Sequence, residues 1–326
     1  QVSRTCGVGL MVLRHRQNRS WWALHTQAIC FYSADGVAIR SRCSGGIAKG
    51  LSANTVSRLM GEWAKEYDGW REEAPDDEPL VYIWADGVHI GLWGENDKLC
   101  ALVIVGVSAR GQKRLLAIED GVRESTQSWR EVLLSLKSRG MNAPKQTIGD
   151  GAMGFWAALD EVYPTSRQQR CWQHKTMNVL NCLPKLSQLK AKAAIHNIWQ
   201  AETKEDAGQA FDLFVKTYEA KYPKATVCLQ KDREELMAFF DFPAQHWQSI
   251  RTSNPIESAF ATIRHRTKRS KGCLNRDGML HMMFKLGQCA EENWRKLRGF
   301  DYLAKVITGV TFKDGIETTE KGQIAA

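Results

Sequence analysis

Three runs of apolar and β-branched residues follow one another in the first half of the chain. Residues 80–93 (LVYIWADGVHIGLW), 99–109 (LCALVIVGVSA) and 113–122 (KRLLAIEDGV) are separated by short polar segments. Runs of this kind predict strands, and connections of hairpin length favour antiparallel neighbours. The pattern therefore predicts an antiparallel meander of three strands.

Helical and strand patterns then alternate along the chain. Residues 125–140 predict a helix that ends at Gly140. Its apolar face is formed by Trp129, Val132, Leu133 and Leu136. A short strand in KQTIGDG, a helix in GFWAALDEVY and a last strand in RQQRCWQH, running into a helix, come next. Two further strands are thus predicted after the meander, each preceded by a helix.

A long helical block separates the last predicted strand from the closing helices. It runs from about Pro184 to Ile250. One of its predicted helix faces carries Ala210, Leu213, Phe214 and Thr217. Three meandering strands, a helix, a strand, a helix, a strand and closing helices is the order of the ribonuclease H-like fold. We predict an α/β fold with a ribonuclease H-like mixed sheet over residues 76–310, an α-helical insertion at about 184–250, and a C-terminal tail over residues 311–326.

The beginning of the chain has a different character. Residues 1–46 keep neither helical nor strand periodicity, and we interpret them as an irregular region that is truncated or out of frame. Within residues 47–75 a helical stripe is formed by Leu51, Val56, Leu59, Met60 and Trp63, with Ser52 as N-cap. One interpretation is that this segment is the second helix of a helix-turn-helix and binds DNA. The alternative is a helix that packs against the rest of the protein. Because the chain starts at Gln1, we expect it to be a fragment of a longer reading frame.

Composition narrows the class of protein. The 326 residues carry a formal charge of +9, which favours a polyanionic partner such as nucleic acid. The nine cysteines form no C-x-x-C pair, which indicates reduced thiols in a cytosolic protein rather than a disulfide framework. No apolar run approaches the roughly 20 residues that span a bilayer, so we expect no membrane partner.

Two aspartates lie in predicted strands. Asp86 is flanked by apolar residues of the first run, and a buried carboxylate needs a partner or a metal. Asp150 ends the short strand that follows a crossover helix, which places it beside the first strand. The alternative for both is an Asp-Gly turn, because each is followed by glycine. If the strands adjoin, the two like charges favour a cation between them.

Glu257 begins a segment that otherwise gathers positive charge. Asn254, Pro255 and Glu257 fit the N-cap, N1 and N3 positions of a helix, so a capping box is one explanation. A continued helix would bury Ile256, Phe260 and Ile263 and place Glu257, Ala261, Arg264 and Lys268 on the neighbouring stripe. Three convergent carboxylates, Asp86, Asp150 and Glu257, can hold two Mg²⁺ ions, or Mn²⁺, for phosphoryl transfer.

The motifs YIWADGVHI, IGDGAMGFWAAL, RCWQHKTMNVL, AETKEDAGQAFDLFVKTYEAKYPKA and RTSNPIESAFATIRHRTKRSKG together resemble the Mutator-type transposases of bacterial insertion sequences. The similarity runs from about Gly50 to Val310. It implies a DDE triad on Asp86, Asp150 and Glu257, with metal-dependent cleavage at element ends and strand transfer by the freed 3′-hydroxyl. The helical insertion accounts for the long interval between Asp150 and Glu257.

The resemblance also implies auxiliary residues. Cys171 and His174 match a Cys/Asp-x-x-His signature, in which His174 would lie near the scissile phosphate; the alternative is a core histidine. C-x-x-H is half of a zinc site, and no second half is apparent at suitable spacing. Apart from the resemblance, positive charge indicates candidate contacts to the DNA backbone, and the alternative for each is a solvated surface charge: Lys175, Arg264, Arg266, Lys268, Arg269 and Lys271. Residues 1–46 do not match the helix-turn-helix region that members of the family carry.

The predicted function is therefore that of an insertion-sequence transposase. Its partners would be double-stranded DNA, as terminal inverted repeats and target, and further copies of itself in a synaptic complex. The predicted location is the bacterial cytoplasm, at the nucleoid. Two alternatives stay open: a ribonuclease H-like nuclease that does not join DNA, and a degenerate or domesticated DNA-binding protein.

Overall fold

The structure is a computed structural model. It describes residues 42–43, 46–47, 53–75, 78–91, 98–121, 124–258, 260–261 and 275–318. The predicted N-cap Ser52 and all but three of residues 1–46 lie outside these ranges.

The strands form one five-stranded sheet and two small ladders. They are β1 (Arg42–Cys43), β2 (Gly46–Ile47), β3 (Leu80–Gly91), β4 (Lys98–Ser108), β5 (Lys113–Gly121), β6 (Gln146–Gly149), β7 (Arg167–Arg170), β8 (Phe312–Lys313) and β9 (Ile316–Glu317). The large sheet has the order β5-β4-β3-β6-β7. Neighbours among β3, β4 and β5 are antiparallel, and β6 pairs in parallel with both β3 and β7. The α/β class and the antiparallel meander are confirmed.

Helices connect and cover these strands. They are α1 (Ala53–Glu72), α2 (Thr126–Ser138), α3 (Met153–Val162), α4 (Trp172–Asn181), α5 (Lys185–Trp199), α6 (Lys204–Tyr218), α7 (Pro223–Gln230), α8 (Arg233–Met237), α9 (Trp247–Ile250), α10 (helical at 254–258 and 260–261), α11 (Arg276–Glu291) and α12 (Leu303–Ile307). Short 3₁₀ helices span Ala238–Asp241, Ala244–His246 and Phe300–Tyr302. Helices α5 to α9 fill the predicted insertion. Among the helices described here, none has the length and apolar character of a membrane span.

Side chains alternate between the two faces of the sheet, and each face has its own core. Ile83 and Ala85 of β3 pack with residues of α2 and α3, including Trp129 and Phe155. Tyr82, Trp84 and Val88 face the other way and join the larger core. That second core also contains apolar side chains of α1, α10, α11 and the insertion. From Tyr82 onward, the strand period of two therefore assigns the β3 residues alternately to two helical layers.

Helix α1 packs against the sheet through Leu59, Met60 and Trp63 of the predicted stripe, whereas Leu51 lies outside the described residues. Leu59 and Trp63 have no exposed surface, and the hydroxyl of Tyr67 donates to the carbonyl of Ile118 on β5 at 2.6 Å. The Tyr67 ring also contacts Phe284 of α11 edge-on. This is the arrangement that the packing alternative predicts. The helix-turn-helix interpretation of the segment stays a prediction.

The prediction for α2 is confirmed in detail. Its four predicted apolar residues are buried, Ser125 caps the first turn by accepting from the backbone N–H of Ser128, and the helix ends before Gly140. Gly140 has φ +96, a left-handed conformation that favours glycine at a helix end.

The helix predicted at α6 is confirmed, with Phe214 buried and Ala210 packed against the core, but Leu213 and Thr217 do not belong to its buried side. Its buried residues are Ala207, Phe211 and Phe214, whereas Leu213 is 65% exposed and Thr217 is exposed. Both sides of this helix carry apolar residues, so the sequence pattern favours neither clearly. Burial of the Phe211 ring removes more apolar area from water than burial of Leu213 would, which favours the side of the helix that carries Ala207, Phe211 and Phe214.

Candidate active site

Asp86 and Asp150 stand side by side at adjoining strands. Ala85 of β3 pairs with Gly149 of β6 in parallel register, and each aspartate is the next residue along its chain. Opposed residues of parallel strands point to the same face, and neighbouring strands lie roughly 4.8 Å apart. The β3 alternation puts Asp86 on the face of Tyr82 and Trp84, where it is only 8% exposed. Two carboxylates thus share one small region of the sheet.

The two aspartates differ in backbone setting. Strand β3 continues without interruption to Gly91, so the interpretation of Asp86 as a turn residue is wrong. At Asp150 the turn interpretation is right for the backbone: Gly151 has φ +87, and the N–H of Ala152 donates to Oδ1 of Asp150 at 2.9 Å. The turn orients the Asp150 carboxylate at the end of β6, beside Asp86.

Glu257 lies in the first turns of α10. The helix begins at residue 254, and the carbonyl of Ser253 accepts from the N–H groups of Ile256 and Glu257. Ser253, rather than the predicted Asn254, therefore occupies the N-cap position. The Ser253 hydroxyl donates to Oε1 of Glu257 at 2.7 Å, a side-chain contact that a capping box does not contain. Ile256 and Phe260 are buried as predicted, and Ile263 lies outside the described residues.

A hydrogen-bonded network joins Glu257 to the end of β7. Cys171 follows β7 directly, and its N–H donates to the carbonyl of Gly149 at 2.8 Å. Its Sγ lies 3.2 Å from Oγ of Ser253 and accepts from the Ser253 N–H at 3.2 Å. Nδ1 of His174 lies 3.2 Å from the same Oγ, and its Nε2 lies 3.8 Å from Oε1 of Glu257. Because the Ser253 hydroxyl gives its one hydrogen to Glu257, we assign the Nδ1 proton of His174 as the donor to its oxygen.

Charge in this network favours a protonated imidazole. The hydrogen bond with Cys171 raises the pKa of His174 to about 9 against the opposing effect of burial, and the negative charges of Asp150 and Glu257 act in the same direction. Burial alone would raise the pKa of Cys171, but hydrogen bonds from His174 and Ser253 outweigh it and lower that pKa. His174 is partly exposed, so the interpretation of it as a core histidine is wrong.

The donor set of this region fits hard divalent cations. Asp86 and Asp150 each follow a paired position of two parallel strands, and carboxylate oxygens are the ligands that Mg²⁺ prefers. Within the described residues, two groups of three bring their ligand atoms within 4.8 Å of one another: Cys171, His174 and Glu257, and His89, Cys100 and Glu124. The three predicted carboxylates are not such a group, although two ions roughly 3.5–4 Å apart spread their ligands over a wider span than one ion does.

The folded chain brings a third donor, remote in sequence, next to the C-x-x-H motif. The carboxylate of Glu257 completes a group with Cys171 and His174 after an interval that contains the whole helical insertion. Spacing along the chain could not reveal it.

The predicted DNA-contacting residues have different outcomes. Lys175 is 0% exposed; its ammonium forms an ion pair with Asp232 and donates to the carbonyl of Cys228 at 2.7 Å. Because this ammonium group is buried and already paired within the protein, it cannot reach DNA, and the prediction that Lys175 contacts DNA is wrong. The other candidates, Arg264, Arg266, Lys268, Arg269 and Lys271, lie outside the described residues.

Sequence reasoning missed Ser253 and Glu124. Ser253 is fully buried and touches three functional candidates, but only its position before an Asn-Pro helix start could have drawn attention to it. Glu124 lies in the connection before α2, and its pKa is raised by burial and by the negative charge of Asp150. No motif marks it.

The chain is similar to known proteins over most of its length. A family model described as "Transposase, Mutator family" matches residues 10–297. The transposase for insertion sequence element IST2 of Acidithiobacillus ferrooxidans is 50% identical over 270 residues, covering 82% of this chain and 91% of that protein. The transposase for insertion sequence element IS6120 of Mycolicibacterium smegmatis is 44% identical over 270 residues, covering 83% of this chain and 84% of that protein.

Proposed function

Because the chain belongs to the Mutator family of transposases, we propose that it cleaves DNA at the ends of an insertion sequence and joins the freed 3′-hydroxyl to target DNA. One observation carries this proposal: Asp86 and Asp150, distant in sequence, follow a paired position of two parallel strands. A ribonuclease H-like sheet is part of the proposal. The strand order, with the meander first and two parallel strands after it, supports that fold.

Asp86, Asp150 and Glu257 are the residues that would hold two Mg²⁺ or Mn²⁺ ions. Such ions supply Lewis-acid chemistry at a phosphodiester when bound. The chain itself fixes the three carboxylates by different means. Backbone pairing of β3 with β6 sets the two aspartates, and the Ser253 hydroxyl together with the start of α10 sets Glu257.

His174 has a separate role in the proposed reaction. Its raised pKa keeps the imidazole protonated at neutral pH, so it can donate a hydrogen bond or a proton to a phosphate oxygen of the substrate. Cys171 and Ser253 hold the ring through the contacts described above. The basic residues at 264–271 supply the charge that would hold the DNA backbone.

The proposal is tested with an oligonucleotide duplex that carries a pre-cut element end with a free 3′-hydroxyl. In the presence of Mg²⁺ we expect the chain to join this end to a second duplex, and EDTA to prevent joining. Hydrolysis without joining would identify a nuclease instead. Binding of the duplex with neither reaction would identify a DNA-binding protein that has lost catalysis.

Two element ends must meet before transposition, and we include a homo-oligomeric synaptic complex in the proposal. It would act on DNA in the bacterial cytoplasm. The mass of the complex with paired end duplexes, measured by light scattering, tests this part independently of chemistry.

We expect Ser253→Ala to reduce cleavage by about 10- to 100-fold at limiting Mg²⁺. The variant removes the 2.7 Å hydrogen bond that orients Glu257, so the Mg²⁺ concentration for half-maximal rate should rise. Ser258→Ala is the matched control, because Ser258 lies on the same helix and its exposed hydroxyl donates only to the carbonyl of Pro255. A loss of rate with an unchanged Mg²⁺ requirement would contradict a positioning role for Ser253.

A further inference from the structure

A second group of candidate ligands lies beside the carboxylates but on the opposite side of β3. His89 of β3 and Cys100 of β4 are paired in antiparallel register, so their side chains share one face. Pairing of β3 with β4 is regular from Tyr82 to Gly91, and strand alternation therefore places His89 and Asp86 on opposite faces. Cys100 accordingly belongs to the core under α2 and α3.

The third member, Glu124, reaches this pair from the connection between β5 and α2. Its Oε1 lies 3.2 Å from Nε2 of His89. One ligand atom from each of His89, Cys100 and Glu124 lies within 4.8 Å of the other two. Side chains from three separate parts of the chain thus converge on a volume the size of a single coordination sphere.

Gly87 makes room for this convergence. A Cβ atom at Gly87 would lie 2.1 Å from Oε1 of Glu124 and 2.4 Å from its carboxyl carbon. Only glycine lets the Glu124 carboxylate lie against the strand here. Gly87, one residue after Asp86, therefore leaves the space on β3 that the Glu124 carboxylate occupies.

The donor types indicate the class of ligand. An imidazole nitrogen, a thiolate sulfur and a carboxylate oxygen suit zinc and related borderline ions, whereas Mg²⁺ prefers oxygen ligands alone. Three protein ligands leave a fourth tetrahedral position for water or substrate.

We propose that His89, Cys100 and Glu124 bind one divalent cation of the zinc class, at a site distinct from the carboxylates that would hold Mg²⁺. On binding, the S–H bond of Cys100 breaks, the sulfur–metal bond forms, and the proton leaves to solvent. Burial, together with the negative charge of Glu124, raises the pKa of Cys100 to about 11 in the metal-free chain. The thiol is therefore neutral until a cation displaces its proton.

Co²⁺ is a suitable probe, because a cobalt–thiolate bond gives a charge-transfer band in the near ultraviolet. We expect titration of the full chain with Co²⁺ to produce this band and an excess of Zn²⁺, but not of Mg²⁺, to remove it. In the Cys100→Ser chain, the part of the charge-transfer band that comes from the bond between Co²⁺ and the Cys100 sulfur should be absent. His89→Gln should weaken Co²⁺ binding by more than about tenfold. The His89 side chain is half exposed, so its replacement leaves the core intact.

Two controls isolate the site. Cys228→Ser removes a partly buried thiol of α7 outside both groups and should leave the titration unchanged. Cys171→Ser removes the thiol of the other group, and the band that depends on Cys100 should persist in it. Equal Co²⁺ affinity in wild-type, Cys100→Ser and His89→Gln chains would overturn the proposal, as would displacement by Mg²⁺.

The proposal of a zinc-class site and the proposal of transposase activity can be disproved independently of each other. Asp86→Asn should retain the Co²⁺ titration even where it loses DNA cleavage, because Asp86 lies on the other face of β3. Loss of the titration in that variant would show that the cation belongs to the catalytic carboxylates, and would overturn a separate site.

Discussion

We expect the Asp86→Asn chain to lose DNA cleavage and strand joining by about 10³-fold or more. Asn has nearly the same volume as Asp, and the backbone of residue 86 keeps its place in β3 opposite Val103. The change therefore replaces the carboxylate with a neutral side chain at nearly constant volume. Asp150→Asn should cause a loss of similar size, because the two carboxylates share one region of the sheet.

The measurement is single-turnover cleavage of an end duplex at saturating Mg²⁺. Asp301→Asn is the matched control: Asp301 is an exposed residue of a 3₁₀ helix outside the site, and its variant should cleave at the wild-type rate. Thermal unfolding of each variant shows that the fold is retained. If Asp86→Asn cleaves DNA as the wild-type chain does, the proposed chemistry is excluded.

The second large effect concerns stability. We expect Asp232→Ala to lower the free energy of unfolding by about 3–5 kcal/mol. Asp232 precedes α8 and pairs with two cations, Lys175 of α4 and Arg170 of β7. Lys175 is fully buried and Arg170 nearly so. Removing the carboxylate leaves both positive charges without their anion in a region of low dielectric, which is more costly than the loss of a surface ion pair.

Chemical denaturation of paired variants measures this effect. Asp212→Ala breaks the exposed ion pair with Arg233 and should change the free energy of unfolding by less than about 1 kcal/mol. Adding Lys175→Met to Asp232→Ala should recover part of the lost stability, because a buried cation is replaced by an apolar side chain of similar length. Equal effects of the Asp232 and Asp212 changes would contradict the expected cost of burial.

Much of the sheet follows from local pattern. The runs at 80–93, 99–109 and 113–122 are apolar and β-branched and have short connections, so neighbouring strands and their direction could be predicted. Helix α2 has one apolar face, an N-cap and a terminating glycine, and these signals agree with one another. Where local signals agree, sequence and structure coincide.

The misses arise where local pattern is ambiguous or where tertiary packing decides. Lys175 follows His174 in a motif rich in polar residues and was predicted to face DNA. In the structure it lies on the buried face of α4, because Asp232 of the insertion supplies a partner that is remote in sequence. The burial of a cation depends on its partner, and no periodicity reveals a partner contributed by another element.

Some features of the candidate site could be predicted from local sequence, and others depend on tertiary packing. The crossover helix between β3 and β6 allowed Asp86 and Asp150 to be placed together in advance. The bond from Ser253 to Glu257 could not be predicted, since the expected N-cap was one residue later. Glu124 stands in a connection without any motif, and its proximity to Gly87 depends on how that connection packs onto the strand.

The three acids differ in how rigidly the chain holds them. Asp86 lies within the β3 ladder, and Asp150 directly follows the last paired residue of β6 in a turn closed by the N–H of Ala152, so backbone hydrogen bonds of the sheet and the turn hold both. Glu257 depends on one hydroxyl and on the first turns of a helix. Any adjustment of the site when a duplex arrives therefore falls to the third acid, and the difference between a resting and an engaged enzyme should be sought there.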